Sequence, residues 1–146
     1  MKRLLLILTL FLFSYSYSNA QELGLRFGNF SGGNVAIDGV FSTGEFNRIH
    51  ANLAFFNGGV GVDALWDFLY RPLGEENFNW YVGAGPYTRI SSEFDFGVKG
   101  EIGIEYLFAG APIALGLDWR PALEIVNKTS MHFDGVGLNV RWVFGN

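Results

Sequence analysis

The carboxy-terminal stretch Gly135-Val-Gly-Leu-Asn-Val-Arg-Trp-Val-Phe144 puts Val136, Leu138, Val140, Trp142 and Phe144 on one face of an extended strand, and Gly135, Gly137, Asn139 and Arg141 on the other. Strict period two over this length excludes an amphipathic helix, whose apolar positions recur every three or four residues. One face is wholly apolar and the other is small or charged, so the two faces need different surroundings. A chain made of such strands folds as a sheet that separates two environments.

Period-two runs bounded by turn-forming residues recur along the chain, spanning 22–31, 34–43, 47–57, 59–71, 79–91, 94–108, 112–126 and 133–144. The breaks include Ser31-Gly32-Gly33-Asn34, Asn57-Gly58-Gly59, Ser91-Ser92-Glu93 and Asn127-Lys128-Thr129-Ser130, residues that favour tight turns. No segment has the pattern of an amphipathic helix. Eight strands joined in sequence by short connections predict an all-β fold, an eight-stranded antiparallel up-and-down barrel in one domain over residues 21–146.

The faces repeat from strand to strand. Leu23, Leu25 and Phe27 oppose Gly24, Arg26 and Gly28 in the first; Phe96, Val98, Ile102, Ile104 and Tyr106 oppose Gly97, Lys99, Glu101, Gly103 and Glu105 in the sixth. A soluble lipocalin-like barrel would turn the apolar face inward. Volume argues against that: an eight-stranded barrel has room inside for side chains or one small ligand, while the apolar faces supply several large residues per strand. The charged face is thinned by glycine and alanine, as a crowded interior requires. The first strand reads Gly24-Leu25-Arg26 and lacks the Gly-x-Trp of lipocalins. The apolar face is therefore expected outside, against hydrocarbon, making the barrel transmembrane with a side-chain-filled lumen.

Arg26, Arg48, Arg71, Arg89, Lys99, Arg120 and Arg141 then face Asp38, Asp63, Asp67, Asp95, Glu101, Glu105, Asp118 and Glu124 across that lumen. Buried charges persist only when paired, so a nearly balanced ionic network is expected there. His50, between Arg48 and Asn52, is expected to be a hydrogen-bonded lumen histidine. No second His or Cys stands at ligand spacing, and neither a metal nor a cofactor is expected.

The amino terminus has a basic start in Met1-Lys2-Arg3, a mostly apolar run from Leu4 to Phe13, and small residues in Ser18-Asn19-Ala20. That is the pattern of a Sec signal peptide over residues 1–20, too short for the ~20 apolar residues of a spanning helix. Its removal takes Lys2 and Arg3, leaving eight basic residues against 14 acidic ones, a balance that excludes nucleic acid as a partner. The chain has no cysteine, hence no disulfide and no lipid-anchored lipoprotein thiol.

With both termini at one rim, Trp66, Phe68, Tyr70, Trp80, Tyr106, Phe108, Trp142 and Phe144 all fall near that rim. This is where an interfacial girdle would lie, with Trp66, Tyr70, Trp80, Tyr106, Trp142 and Phe144 as its main members. Phe27, Phe30, Phe55 and Phe94 are expected toward the opposite rim. The motifs Trp80-Tyr-Val-Gly-Ala-Gly-Pro86, Gly103-Ile-Glu-Tyr-Leu-Phe108, Leu117-Asp-Trp-Arg-Pro121 and Val140-Arg-Trp-Val-Phe144 complete a chain that resembles the small eight-stranded outer-membrane barrels of Gram-negative bacteria, the group of the outer-membrane protein A and X barrels. Two features depart from them: Gly145-Asn146 follows the last aromatic, and the outer loops are short. The resemblance implies a monomer in the cell outer membrane, with lipids and the barrel-insertion machinery, acting through the last strand, as partners. It implies a structural or binding role without catalysis and without an open pore.

Some small outer-membrane barrels modify lipid A, and the deacylases among them carry a His and a Ser two apart with a Glu nearby. Here Ser130-Met-His132 follows Glu124, but in reversed order and beside Asn127-Lys128, so an exposed turn is expected rather than a catalytic set. The outer loops offer little area for a protein partner. The longest connection, residues 72–79, carries Glu75 and Glu76 and is the place expected for a periplasmic one.

Overall fold

Side chains that alternate between faces leave backbone N–H and C=O groups pointing sideways, where only neighbouring strands can satisfy them. A computed structural model of the chain describes residues 21–30, 33–74, 77–126 and 128–144; the signal peptide expected over residues 1–20 lies outside the described residues. The strand segments are β1 (Gln21–Phe30), β2 (Gly33–Ser42), β3 (Arg48–Phe56), β4 (Gly59–Pro72), β5 (Phe78–Ile90), β6 (Phe94–Leu107), β7 (Ile113–Trp119), β8 (Ala122–Val126), β9 (Ser130–His132) and β10 (Val136–Phe144). All pairings are antiparallel. Neighbours run β5-β4-β3-β2-β1-β10-β7-β6, and β6 pairs again with β5, so the sheet closes on itself.

β7 and β8 form one stave interrupted at Arg120–Pro121, and β9 and β10 form another, which gives an eight-stranded barrel. Proline has no N–H for the ladder. Its carbonyl instead accepts from Gly100 N at 2.9 Å, while Arg120 N donates to Gly135 O at 2.9 Å, so both neighbours stay tied across the break. The staves end within one residue of the expected bounds, apart from the last, which begins at Ser130 rather than at 133. Ser130–His132 is therefore strand, paired with β8 through Ala122↔His132 and Glu124↔Ser130, and not the expected turn.

Gln21 pairs with Phe144, so the first and last described strands meet at one rim, together with the connections 43–47, 73–77 and 108–112. Burial is inverted relative to a water-soluble core. Among the described residues, 17 polar or charged side chains are buried against 10 apolar ones, while 33 large apolar side chains are exposed on the outer face and rims. Trp66, Phe68, Phe108, Trp142 and Phe144 are exposed near the terminal rim, with Trp80 and Tyr106 half-buried among them.

Two aromatics depart from the expected faces. The ladder between β4 and β5 shifts register between Asp67 and Leu69. A bulge adds one residue and reverses the alternation beyond it. Tyr70 consequently turns from the outer girdle toward the lumen, where the Arg48 guanidinium lies 4.2 Å from its ring centroid, and Arg71 leaves the lumen to stack on Phe46 at 3.7 Å. Phe30, expected on the far outer belt, is buried with Ala36 and Ala54 and lies beneath the Lys99 ammonium at 4.3 Å. Phe27, Phe55 and Phe94 stay exposed.

The lumen is narrow enough that some wall positions must lack a side chain. At Gly103 an added Cβ would overlap the ring of Tyr81, which is fully buried and has nowhere to turn, whereas a Cβ at Gly110, in a connection, would meet nothing within 4 Å. Gly103→Ala should therefore lower stability by about 1–3 kcal/mol, read as a shift in the urea midpoint of the refolded protein. Gly110→Ala should leave that midpoint unchanged.

Candidate functional site

The inward face of each strand contributes charge to one lumen, and the closure brings together groups far apart in sequence. Arg141 on β10 lies at the seam. It donates to Glu22 on β1 (2.6 Å), Asp38 on β2 (3.0 Å) and Glu105 on β6 (2.5 Å). Arg48 on β3 joins that layer through Asp67 (2.8 Å) and Glu105 (2.9 Å). One carboxylate, Glu105, thus holds two guanidiniums.

The next layer centres on His50. Its Nε2 lies 2.5 Å from Asp38 Oδ1 and its Nδ1 3.0 Å from Glu101 Oε1. Arg120 donates from Nε to Glu101 Oε2 at 2.8 Å, and its Nη1 bonds Asn52 Oδ1. Asn52 donates in turn to Asp38 at 2.6 Å. Toward the far rim, Arg26 grips Asp118 through Nε and Nη2 (2.7–3.2 Å), Asn139 donates to the same carboxylate at 2.8 Å, and Lys99 meets Asp63 at 3.1 Å. Arg89 bonds Asp95 at 2.7 Å with its guanidinium partly in solvent.

Of the charged residues assigned to the lumen from sequence, Arg26, Asp38, Arg48, Asp63, Asp67, Lys99, Glu101, Glu105, Asp118, Arg120, Glu124 and Arg141 are all buried, and Arg89 stands at the mouth. Arg26, Arg48, Arg120 and Arg141 are each at most 3% exposed, so side chains fill the cross-section. The balance, however, differs from the near-neutral one expected. Arg71 has moved out through the bulge, Arg89 stands in the mouth and Glu22 has moved in, leaving nine buried carboxylates against five buried arginines and lysines. Glu22 shares the parity of Gly24 and Arg26; its place at the very start of the first strand hid it. The inward rings of Tyr81 and Tyr87 follow from the alternation of β5, whose faces carry too few charges to be told apart by sequence.

Above the network lies a cavity of about 140 Å³, lined by Arg26, Arg89, Lys99, Arg120, Glu124 and His132 among others. The strand pairing of β8 with β9 brings Glu124, Ser130 and His132 together at this mouth. Ser130 Oγ lies 3.2 Å from His132 Nε2, and Glu124 Oε2 lies 3.3 Å from the same Nε2. A nucleophile–base–acid relay uses opposite ring nitrogens, one to take the hydroxyl proton and one to be held by the carboxylate. Both contacts here fall on one nitrogen, so the three residues meet without forming that relay. Of the 72–79 connection, Glu75 and Glu76 lie outside the described residues, and Leu73 and Phe78 are exposed beside them.

Compared with known proteins, the chain matches no protein-family model, and no curated protein is similar to it.

Removing one member of a buried ion cluster strands its partners without solvent, which costs about 3–5 kcal/mol. Arg141→Met leaves Glu22, Asp38 and Glu105 short of a partner and should lower the unfolding free energy in urea by that amount. Arg89→Met at the solvated mouth should change it by less than about 1 kcal/mol.

Proposed function

We propose that this chain is an integral outer-membrane β-barrel protein of the kind represented by the outer-membrane protein A and X barrels, with a structural or binding role, no catalysis and no open pore. The observation that carries the reading is the inversion of burial: an ionic lumen enclosed by a wall whose outer face is apolar on every stave. An exposed apolar surface of this extent would drive a soluble protein to aggregate. In hydrocarbon it is the favourable surface, and among the described residues the closed ladder pairs every strand on both sides except the three-residue β9 at the far mouth. The nine residues of β10, apolar and exposed at every second position, match the ~9–11 that a tilted strand needs to cross a bilayer.

The rim at which β1 and β10 meet faces the periplasm, its exposed tryptophans and phenylalanines lie at headgroup level, and β10 is the strand offered to the insertion machinery. The far mouth, with Glu124 and His132, faces outward. The filled lumen argues against conduction, and the shared Nε2 of His132 argues against lipid A hydrolysis by Ser130. A lipocalin-like ligand carrier is disfavoured because its ligand would have to lie among paired arginines and carboxylates rather than in an apolar pocket. A binding role falls to the 72–79 connection on the periplasmic side.

The test is fractionation of cells expressing the full chain, followed by electrophoresis in SDS with and without boiling. The protein should be found in the outer-membrane fraction and should migrate differently before and after boiling, as closed barrels that resist SDS do. Recovery from the soluble periplasm with a single mobility would overturn the proposal.

A further inference from the structure

The lumen brings three potential metal ligands together, and one of their atoms, Asp67 Oδ1, is left out of the ion pairs of the described residues. His50, Asp67 and Glu101, from β3, β4 and β6, each present one ligand atom within 4.8 Å of the other two, and all three side chains are fully buried. Asp67 and Glu101 are both acids, yet no arginine or lysine stands between them. Arg48 holds the far oxygen of Asp67 (Oδ2, 2.8 Å) and Arg120 the far oxygen of Glu101 (Oε2, 2.8 Å). Asp67 Oδ1 accepts no hydrogen bond from the described residues, although its side chain has no exposure at all.

We propose that His50, Asp67 and Glu101 form a binding site for a divalent first-row metal ion such as Zn²⁺ or Co²⁺. One nitrogen and two carboxylate oxygens are a donor set that suits such ions, and the chain has no cysteine to compete for them. The 3.0 Å between His50 Nδ1 and Glu101 Oε1 is close to the separation of two adjacent ligands on one ion with bonds of about 2.0–2.2 Å. Each donor is also held from behind. Asp38 takes the other ring nitrogen of His50 at 2.5 Å, the carboxylate–histidine arrangement that orients metal-bound imidazoles, and the two arginines fix the carboxylates.

The charge balance points the same way. A ligating imidazole is neutral, so with Arg89 counted the buried carboxylates exceed the positive groups by three, and one such ion would offset two of them. Arg120 Nη2 lies 3.2–3.3 Å from both ring nitrogens, and a bound ion would turn it toward its other acidic neighbour, Asp118, now 3.5 Å away. Because side chains close the lumen around the site, the ion enters while the barrel folds and leaves slowly afterwards.

The test is refolding from denaturant with Co²⁺ or Zn²⁺, a wash with EDTA, and metal analysis of the folded barrel together with the visible absorption of the cobalt form. The wild type and His132→Ala should retain near-stoichiometric metal and show cobalt bands; Asp67→Asn and His50→Gln, refolded alike, should retain less by more than about tenfold. The His132→Ala protein decides the matter even if neither of those variants folds, because its sole histidine is then His50, whose ring NMR signals should show the paramagnetic shift of bound Co²⁺. Absence of metal from the folded wild type would overturn the proposal and leave Asp67 and Glu101 sharing a proton. Retention unchanged in Asp67→Asn, or an unshifted His50 ring, would overturn it equally.

Discussion

The barrel depends on the pairing of buried guanidiniums with carboxylates from other strands, and Arg141 is the clearest case. A guanidinium at 1% exposure is tolerable only with its donors satisfied. Its three acceptors come from β1, β2 and β6, so it is satisfied only when the seam between β10 and β1 has closed. Arg26 depends on closure in the same way, its partner Asp118 lying 92 residues away on β7. Until the ring is complete, each of these charges faces water or nothing. The ionic lumen therefore makes the open sheet a poor alternative to the closed one, more by penalising incomplete structures than by adding net stability to the finished one.

A lumen packed with arginine, glutamate and tyrosine leaves little apolar surface inside, so most large apolar side chains of the described residues lie outside. The two halves of this arrangement depend on each other. Glycines such as Gly103 and Gly137 give up side chains so that Tyr81 and the Arg26 guanidinium can lie against the wall, and the outward positions beside them carry Ile102, Ile104, Val136 and Leu138. Replacing water by hydrocarbon around the barrel turns the exposed apolar area from a liability into the surface that holds it in place.

Period two made the strands, their order and most inward residues legible in the sequence, because each strand keeps one parity over many residues and its charged face is the inward one from Arg26 on the first stave to Arg141 on the last. What escaped was whatever breaks parity or depends on distant partners. Between Asp67 and Pro72 the bulged strand has no glycine or proline, so alternation alone puts Tyr70 and Arg71 on the wrong faces. Ser130 and His132 look like a polar turn until their pairing with β8 is known. The meeting of His50 with Asp67 and Glu101 was invisible for a simpler reason: the three are brought together by the curvature of the wall, and no spacing along the chain encodes it.

Because the chain has no cysteine, the surroundings of its outer wall can be read one residue at a time. Single spin labels would be placed at Leu138→Cys, Asn139→Cys, Val140→Cys and Trp142→Cys, and the barrel reconstituted in phospholipid vesicles. Electron paramagnetic resonance then compares relaxation by oxygen, which concentrates in hydrocarbon, with relaxation by a water-soluble nickel chelate. An apolar wall facing lipid predicts that oxygen dominates at 138, 140 and 142 while 139 is shielded from lipid inside the lumen. Ready access of the nickel chelate to 138, 140 and 142 would contradict it.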